Sequence, residues 1–260
     1  MPADLLSLPY RTAKPRNQGL TMVMDTGLPT AYFEDAMRSA APHIDLVKFG
    51  WGTSLVSPDL GRKIACLRDL GIRFYFGGTL FEKFVAQHDF DGYLQWCRRW
   101  GADTVEISNG TIELTNTEKA AYIRKCVGSL RVLSEVGFKD PVRNQFLSDD
   151  QWVDSISEDT EAGAELVVTE TRESGRSGLC TAAGELRMDL LEHILSAGLD
   201  ADRLLFEAPT KELQAHFVRR IGTNVNLGNI AASDVIAAET LRLGLRSDTL
   251  AFFEAQLLHA

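Results

Sequence analysis

Eight short apolar runs divide the chain, at residues 20–24, 44–49, 72–76, 104–107, 130–134, 166–169, 204–206 and 224–227. They are rich in Val, Ile, Leu and Phe and read as continuous instead of alternating, which is the pattern of strands buried on both faces. Between them lie amphipathic segments that predict helices at 58–70, 81–100, 117–128, 149–162, 184–197, 211–221 and 231–243. Start and stop signals sit where such helices need them: Ser57-Pro58 and Ser148 precede two of them, and Gly71 and Gly198 follow two. Strict alternation of strand and helix predicts a parallel sheet. A last segment, 248–258, predicts an extra helix whose apolar stripe of Leu250, Phe253, Leu257 and Leu258 covers the barrel or a subunit contact.

Each apolar run stops at, or just before, a polar or glycine-rich cluster: Asp25, Lys48, Gly77-Gly78-Thr79, Glu106, Glu135, Glu170, Glu207 and Asn226. If every run is a parallel strand followed by a helix, these clusters share the rim on which (β/α)₈ enzymes build their active sites. The expected fold is therefore α/β, a single (β/α)₈ TIM barrel over residues 1–260 with the additional C-terminal helix. A chain of 260 residues suits one such domain and leaves no room for a second.

Charge narrows the partners. With 36 acidic and 27 basic residues the chain carries a formal charge of -9, so it offers no broad basic face for nucleic acid or an acidic membrane. Small anions need a local basic pocket instead. Cys66, Cys97, Cys126 and Cys180 show no C-x-x-C spacing and are expected to be reduced packing residues. No run approaches the roughly 18 apolar residues of a membrane span, and the first residues lack a signal-like apolar core, so a soluble, cytoplasmic homo-oligomer is expected.

Converging carboxylates repel, and a rim holding Asp25, Glu106, Glu135, Glu170 and Glu207 needs a cation or protons. Oxygen donors of this kind suit a hard ion such as Mg²⁺. None of the five histidines falls on a predicted strand end, which leaves lysine for proton transfer: Lys48 closes the second strand and Lys139 follows the fifth. Anion-binding turns follow strands three (Gly77-Gly78-Thr79), six (173–178, with Ser174, Gly175 and Arg176) and eight (226–229, with Asn226, Gly228 and Asn229). Arg172, Arg176, Lys14 and Arg16 supply the local positive charge.

Read in order, the segments K-P-R-x-x-G-L-T-M-V-M-D (14–25), D-L-V-K-F-G-W-G-T-S (45–54), F-G-G-T-L-F-E (76–82), E-I-S-N-G (106–110), S-E-V-G (134–137), E-T-R-E-S-G (170–175), F-E-A-P (206–209), N-V-N-L-G-N-I (224–230) and L-R-L-G-L-R-S-D-T (241–249) resemble the phosphosulfolactate synthase family. Thr26, Asn109, Phe138 and Thr171 depart from the archaeal pattern and resemble the bacterial branch. The resemblance implies a (β/α)₈ lyase that uses Mg²⁺ to add sulfite to C3 of phosphoenolpyruvate, giving phosphosulfolactate, the first step of one route to coenzyme M. It implies Glu135 and Glu170 as metal ligands, with Asp25, Glu106 and Glu207 as further or water-mediated ones. Lys139 and Lys48 are then rival proton donors to C2. Two other readings stand beside it: a lyase joining a different nucleophile to an enol phosphate, and a non-catalytic stress or scaffold protein that has kept the barrel.

Overall fold

The computed structural model describes residues 5–257. Eight parallel strands run in the order β3-β2-β1-β8-β7-β6-β5-β4: β1 (Thr21–Asp25), β2 (Leu46–Phe49), β3 (Arg73–Phe76), β4 (Thr104–Ile107), β5 (Arg131–Val136), β6 (Leu166–Thr169), β7 (Leu204–Glu207) and β8 (Leu227–Ile230). β3 and β4 stand side by side at the seam, so the barrel is nearly closed. There the backbone N–H of Gly78, just past β3, donates to Glu106 of β4 at 2.5 Å.

Helices pack around the outside: α1 (Thr30–Ala40), α2 (Thr53–Val56), α3 (Leu60–Asp69), α4 (Gly78–Ala86), α5 (Phe90–Trp100), α6 (Asn116–Cys126), α7 (Pro141–Gln145), α8 (Asp149–Ala162), α9 (Met188–Ser196), α10 (Lys211–Ile221), α11 (Val235–Arg242) and α12 (Ser247–Leu257). α12 is the expected terminal helix. Its Phe253 is buried and Leu250 is half exposed, while Leu258 and the side chain of Leu257 lie outside the described residues.

Capping explains several boundaries. Ser148 and Gln151 form a reciprocal capping box at the start of α8, and Thr115 with Glu118 does the same for α6. The single helix expected over 81–100 is two, because Asp89 accepts the Gly92 N–H and starts α5 afresh, with His88 in the left-handed region at φ 58°. The eighth strand lies three residues later than the apolar run suggested.

Two cores result. Outward-facing strand residues such as Val23, Val47, Phe49, Val105, Val167 and Phe206 meet the helices. Leu20, Met22, Leu46, Tyr75, Leu133, Leu166, Val168 and Leu205 fill the barrel interior. Because strand side chains alternate between the two faces, the next inward position above this layer is Lys48 in β2, Glu106 in β4, Glu135 in β5 and Glu207 in β7. The same alternation turns Asp25 outward, after Val23.

Candidate active site

Those inward rim residues line a cavity of about 240 Å³ at the C-terminal ends of the strands, together with Met24, Trp51, Gly77, Gly78, Thr79, Thr111, Lys139, Glu170, Arg172, Glu173 and Asn229. Burial of the ionisable groups is nearly complete: Lys48 is 5 % exposed, Glu106 0 %, Glu135 and Glu207 1 %, and Glu170 2 %. Charges so deeply buried persist only when paired, and the pairing centres on two lysines. Lys48 Nζ stands 3.0 Å from Glu106, 3.2 Å from Glu135 and 3.4 Å from Glu207. Lys139, reaching in from the loop after β5, contacts Glu135 directly and lies 3.3 Å from Glu170 and 3.9 Å from Glu82. Glu135 therefore bridges both ammonium groups.

Burial alone would push both lysines down, but the surrounding carboxylates outweigh it and raise them above the ordinary lysine range. Burial likewise pushes the Glu135 carboxyl up, yet Lys139 and Lys48 together hold it below the usual carboxylate range. Glu170 goes the other way: burial, and then the nearby charges of Glu135 and Glu207, raise it well above that range. Glu106 is raised too, chiefly by burial. Backbone donors complete the cluster. Thr171 N–H and Arg172 N–H donate to Glu207 at 2.9 and 3.1 Å, and Arg172 N–H also donates to Glu170 at 2.6 Å. This last arrangement places Arg172 in the left-handed region at φ 61°.

Two further non-glycine residues on the cavity wall share that backbone region, Trp51 at φ 50° and Asn229 at φ 53°. Conformations that cost energy persist where the surroundings enforce them, and they gather at functional sites. The Oδ1 atom of Asn229 is buried without a hydrogen-bond partner, as are Glu106 Oε2 and Glu170 Oε2. Buried polar atoms left this way are candidates for a bound ligand or ion.

Several expected site residues stand elsewhere. Asp25 is fully buried but faces out between β1 and α3: one oxygen accepts the Gly27 and Leu28 N–H groups, and the other pairs with Lys63 at 2.6 Å. It has no oxygen turned to the cavity. Lys14 and Arg16 precede β1 and so lie at the opposite end of the barrel. Lys14 donates to the carbonyls of Ala41 and Ile44, and Arg16 pairs with Asp45 at 2.7 Å beneath β2. Asn226 is on that lower end as well, joining the Leu20 N–H to the Asp202 and Leu204 carbonyls. Gly228 sits within β8, where an added Cβ would run into the Leu205 and Met22 side chains. Ser174 and Arg176 are exposed and Gly175 packs towards Leu213, Thr210 and Pro209; none of the three lines the cavity.

Sequence reasoning missed Glu82, Trp51 and Thr111.

Oxygen donors are the right chemistry for a hard divalent ion, and the counting favours one. Glu106, Glu135, Glu170 and Glu207 oppose only two ammonium groups, and Glu106 Oε2 and Glu170 Oε2 accept no hydrogen bond, though the latter stands 3.3 Å from Lys139 Nζ. Among the described residues, no three His, Cys, Asp or Glu side chains already converge as a ligand set.

Residues 9–248 match the family described as (2R)-phospho-3-sulfolactate synthase (ComA). The chain is 51% identical over 244 residues to the phosphosulfolactate synthase of Bacillus subtilis (strain 168), covering 94% of this chain and 97% of that protein. It is 42% identical over 246 residues to the phosphosulfolactate synthase of Methanothermobacter thermautotrophicus, covering 93% and 95%. Among solved structures, 3-hexulose-6-phosphate synthase from Salmonella typhimurium superposes with a TM-score of 0.56 at 14% identity, over 86% of this chain and 98% of that one. That likeness concerns the fold alone.

Proposed function

Since the chain belongs to the (2R)-phospho-3-sulfolactate synthase (ComA) family and is an enzyme of that class, we propose that it adds sulfite to C3 of phosphoenolpyruvate in the cavity at the barrel rim. The observation that carries this reading is the pair of ammonium groups, Lys48 and Lys139, held on either side of one carboxylate, Glu135, at a closed-off strand end. A site for two anions needs fixed positive charge, and the two ammonium groups supply it among rim carboxylates whose surplus negative charge a bound divalent ion would offset.

The chemistry follows from where charge moves. The sulfur lone pair of sulfite bonds to C3, and the electrons of the C2–C3 double bond shift through C2 into the carboxylate. The resulting dianionic aci-carboxylate is poorly stabilised by water; fixed cations and oriented N–H groups in a dry cavity stabilise it better. A proton delivered to C2 then completes phosphosulfolactate, so the overall reaction consumes one proton and releases nothing.

Lys139 is the residue that would hold that proton. It is kept protonated by Glu135 and Glu170, it enters from the cavity wall, and it is more exposed than Lys48, whose ammonium is locked among three carboxylates. Lys48 serves as the fixed positive charge beneath the substrate. Arg172, on the cavity wall, offers a planar guanidinium suited to the phosphate or the incoming sulfite, with Asn229 and Thr79 also lining the cavity.

Glu170 and Glu135, with Glu106 through its Oε2 and Glu207 through water, are the residues that would hold Mg²⁺. When bound there, the ion would supply Lewis acidity at the substrate carboxylate.

Incubation with phosphoenolpyruvate, sulfite and Mg²⁺ should yield a phosphorylated C3 sulfonate by mass spectrometry. Product formed only when another nucleophile replaces sulfite would move the assignment to a related lyase. No conversion with any nucleophile would overturn it.

A further inference from the structure

Helix α4 leaves the third strand through Gly78-Thr79-Leu80-Phe81-Glu82, and Glu82 is 1 % exposed among these buried neighbours. A carboxylate buried beside apolar residues is costly unless its oxygens are satisfied. Both are. Oε1 accepts from the Ser108 hydroxyl, and Oε2 accepts the backbone N–H groups of Thr111 at 2.8 Å and Ile112 at 3.0 Å. The Lys139 ammonium lies 3.9 Å away.

All of these partners come from the loops after β4 and β5, and two of them, Thr111 and Lys139, line the cavity. The loops are also tied to each other. Lys139 N–H donates to the Gly110 carbonyl at 3.1 Å, and a Cβ at Gly110 would come within 3.2 Å of both Lys139 Nζ and the Gly137 carbonyl. The loop cannot shift without displacing the lysine.

We propose that Glu82 is a positioning residue of this site: its carboxylate clamps residues 108–112 as one wall of the cavity and thereby fixes where the Lys139 ammonium stands. Without the clamp, the Thr111 and Ile112 N–H groups lose their acceptor, the wall loosens, and Lys139 loses its backing. A misplacement of about 1 Å in a catalytic group costs on the order of 10²-fold in rate.

Hydrogen exchange on the full-length protein, without substrate, reads the clamp directly. In Glu82→Ala, exchange at the Thr111 and Ile112 amides should rise at least about tenfold, the equivalent of one hydrogen bond to a charged acceptor. Glu82→Gln keeps an acceptor for both N–H groups and lets Ser108 accept in turn, so exchange should stay within about threefold of wild type. In turnover with phosphoenolpyruvate and sulfite, kcat should fall about 10- to 100-fold in Glu82→Ala, with KM changing far less, and Gln should recover most of that loss.

Unchanged amide exchange in Glu82→Ala, kcat within about twofold of wild type, or a Gln variant as damaged as Ala would each overturn the proposal. If Glu82→Ala does not fold, Glu82→Asp takes its place, because the shorter carboxylate cannot span from α4 to the loop, and the same losses are expected. The turnover arm rests on the proposed reaction. The exchange arm does not, so an inactive wild-type protein and a failed clamp are told apart.

Discussion

Replacing Lys48 with methionine removes one positive charge from among three buried carboxylates. The ammonium stands 3.0, 3.2 and 3.4 Å from Glu106, Glu135 and Glu207. At an effective dielectric of about 20, each contact carries roughly 5 kcal/mol of attraction, much of it offset by the cost of burying the lysine. What remains is the penalty for leaving carboxylates buried without their partner, about 3–5 kcal/mol. For a chain of this size that corresponds to a melting temperature lower by roughly 6–20 °C.

The loss depends on pH, and its sign is fixed. Lys48 is raised above its unfolded value, so the stability it contributes is whole below about pH 10 and fades only as pH climbs through the raised folded value. Its removal is therefore felt at every ordinary pH. Deprived of the ammonium, the carboxylates become harder to ionise in the fold than in the unfolded chain, where they titrate at about 4.3. That penalty grows as pH rises above about 5, so the variant's deficit should be larger at pH 8 than at pH 5. Thermal unfolding followed by circular dichroism at both pH values, with chelator present, measures it. Equal deficits at pH 5 and pH 8, or a fall below about 3 °C at pH 8, would refute the reading of Lys48 as the charge that holds the cluster together.

Lys139→Ala should lower turnover by about 10² to 10⁴ while leaving the circular dichroism spectrum unchanged, as loss of a general acid does; activity near wild type would move the proton to Glu170 or to water. Chelation should abolish activity and Mg²⁺ restore it, and calorimetric titration should show Glu170→Gln binding Mg²⁺ at least about tenfold more weakly; equal binding would take Glu170 out of the ligand set. Asp25→Asn should cost stability, about 3–5 kcal/mol by thermal unfolding, because it strands the buried Lys63 ammonium. Its turnover at a temperature where it stays folded should match wild type, and a hundredfold loss there would return Asp25 to the site.

Much of the rim was legible because buried parallel strands announce themselves. Runs such as Asp45-Leu46-Val47-Lys48-Phe49 and Leu204-Leu205-Phe206-Glu207 place a charged residue at the strand end with no alternative address. The side-chain alternation is equally readable. Met22 and Met24 face inward in β1, so Asp25 had to face a helix. Chain direction is another constraint: a segment that feeds into β1, as Lys14 and Arg16 do, meets the barrel at its lower end.

Asn226 was misplaced for a different reason. The pattern around 224–230 mixes Asn with Val, Leu and Ile, and only the ladder from Phe206 to Leu227 fixes where pairing begins. Lys139 is readable from its place after the fifth strand, but Thr111 is beyond pattern reasoning, since a long-range hydrogen bond to Glu82 sets it.

In this cavity a carbon–sulfur bond should form at C3 and a proton should arrive at C2. Carbon-13 NMR of phosphoenolpyruvate labelled at C2 and C3, mixed with the protein, sulfite and Mg²⁺ in deuterated water, follows both carbons at once. The vinyl signals should be replaced by a sulfonate-bearing methylene at C3 and a phosphate-bearing carbon at C2 split by one directly bound deuteron. Vinyl signals that persist, or a product carrying its deuterium at C3 and no sulfur, would contradict the account.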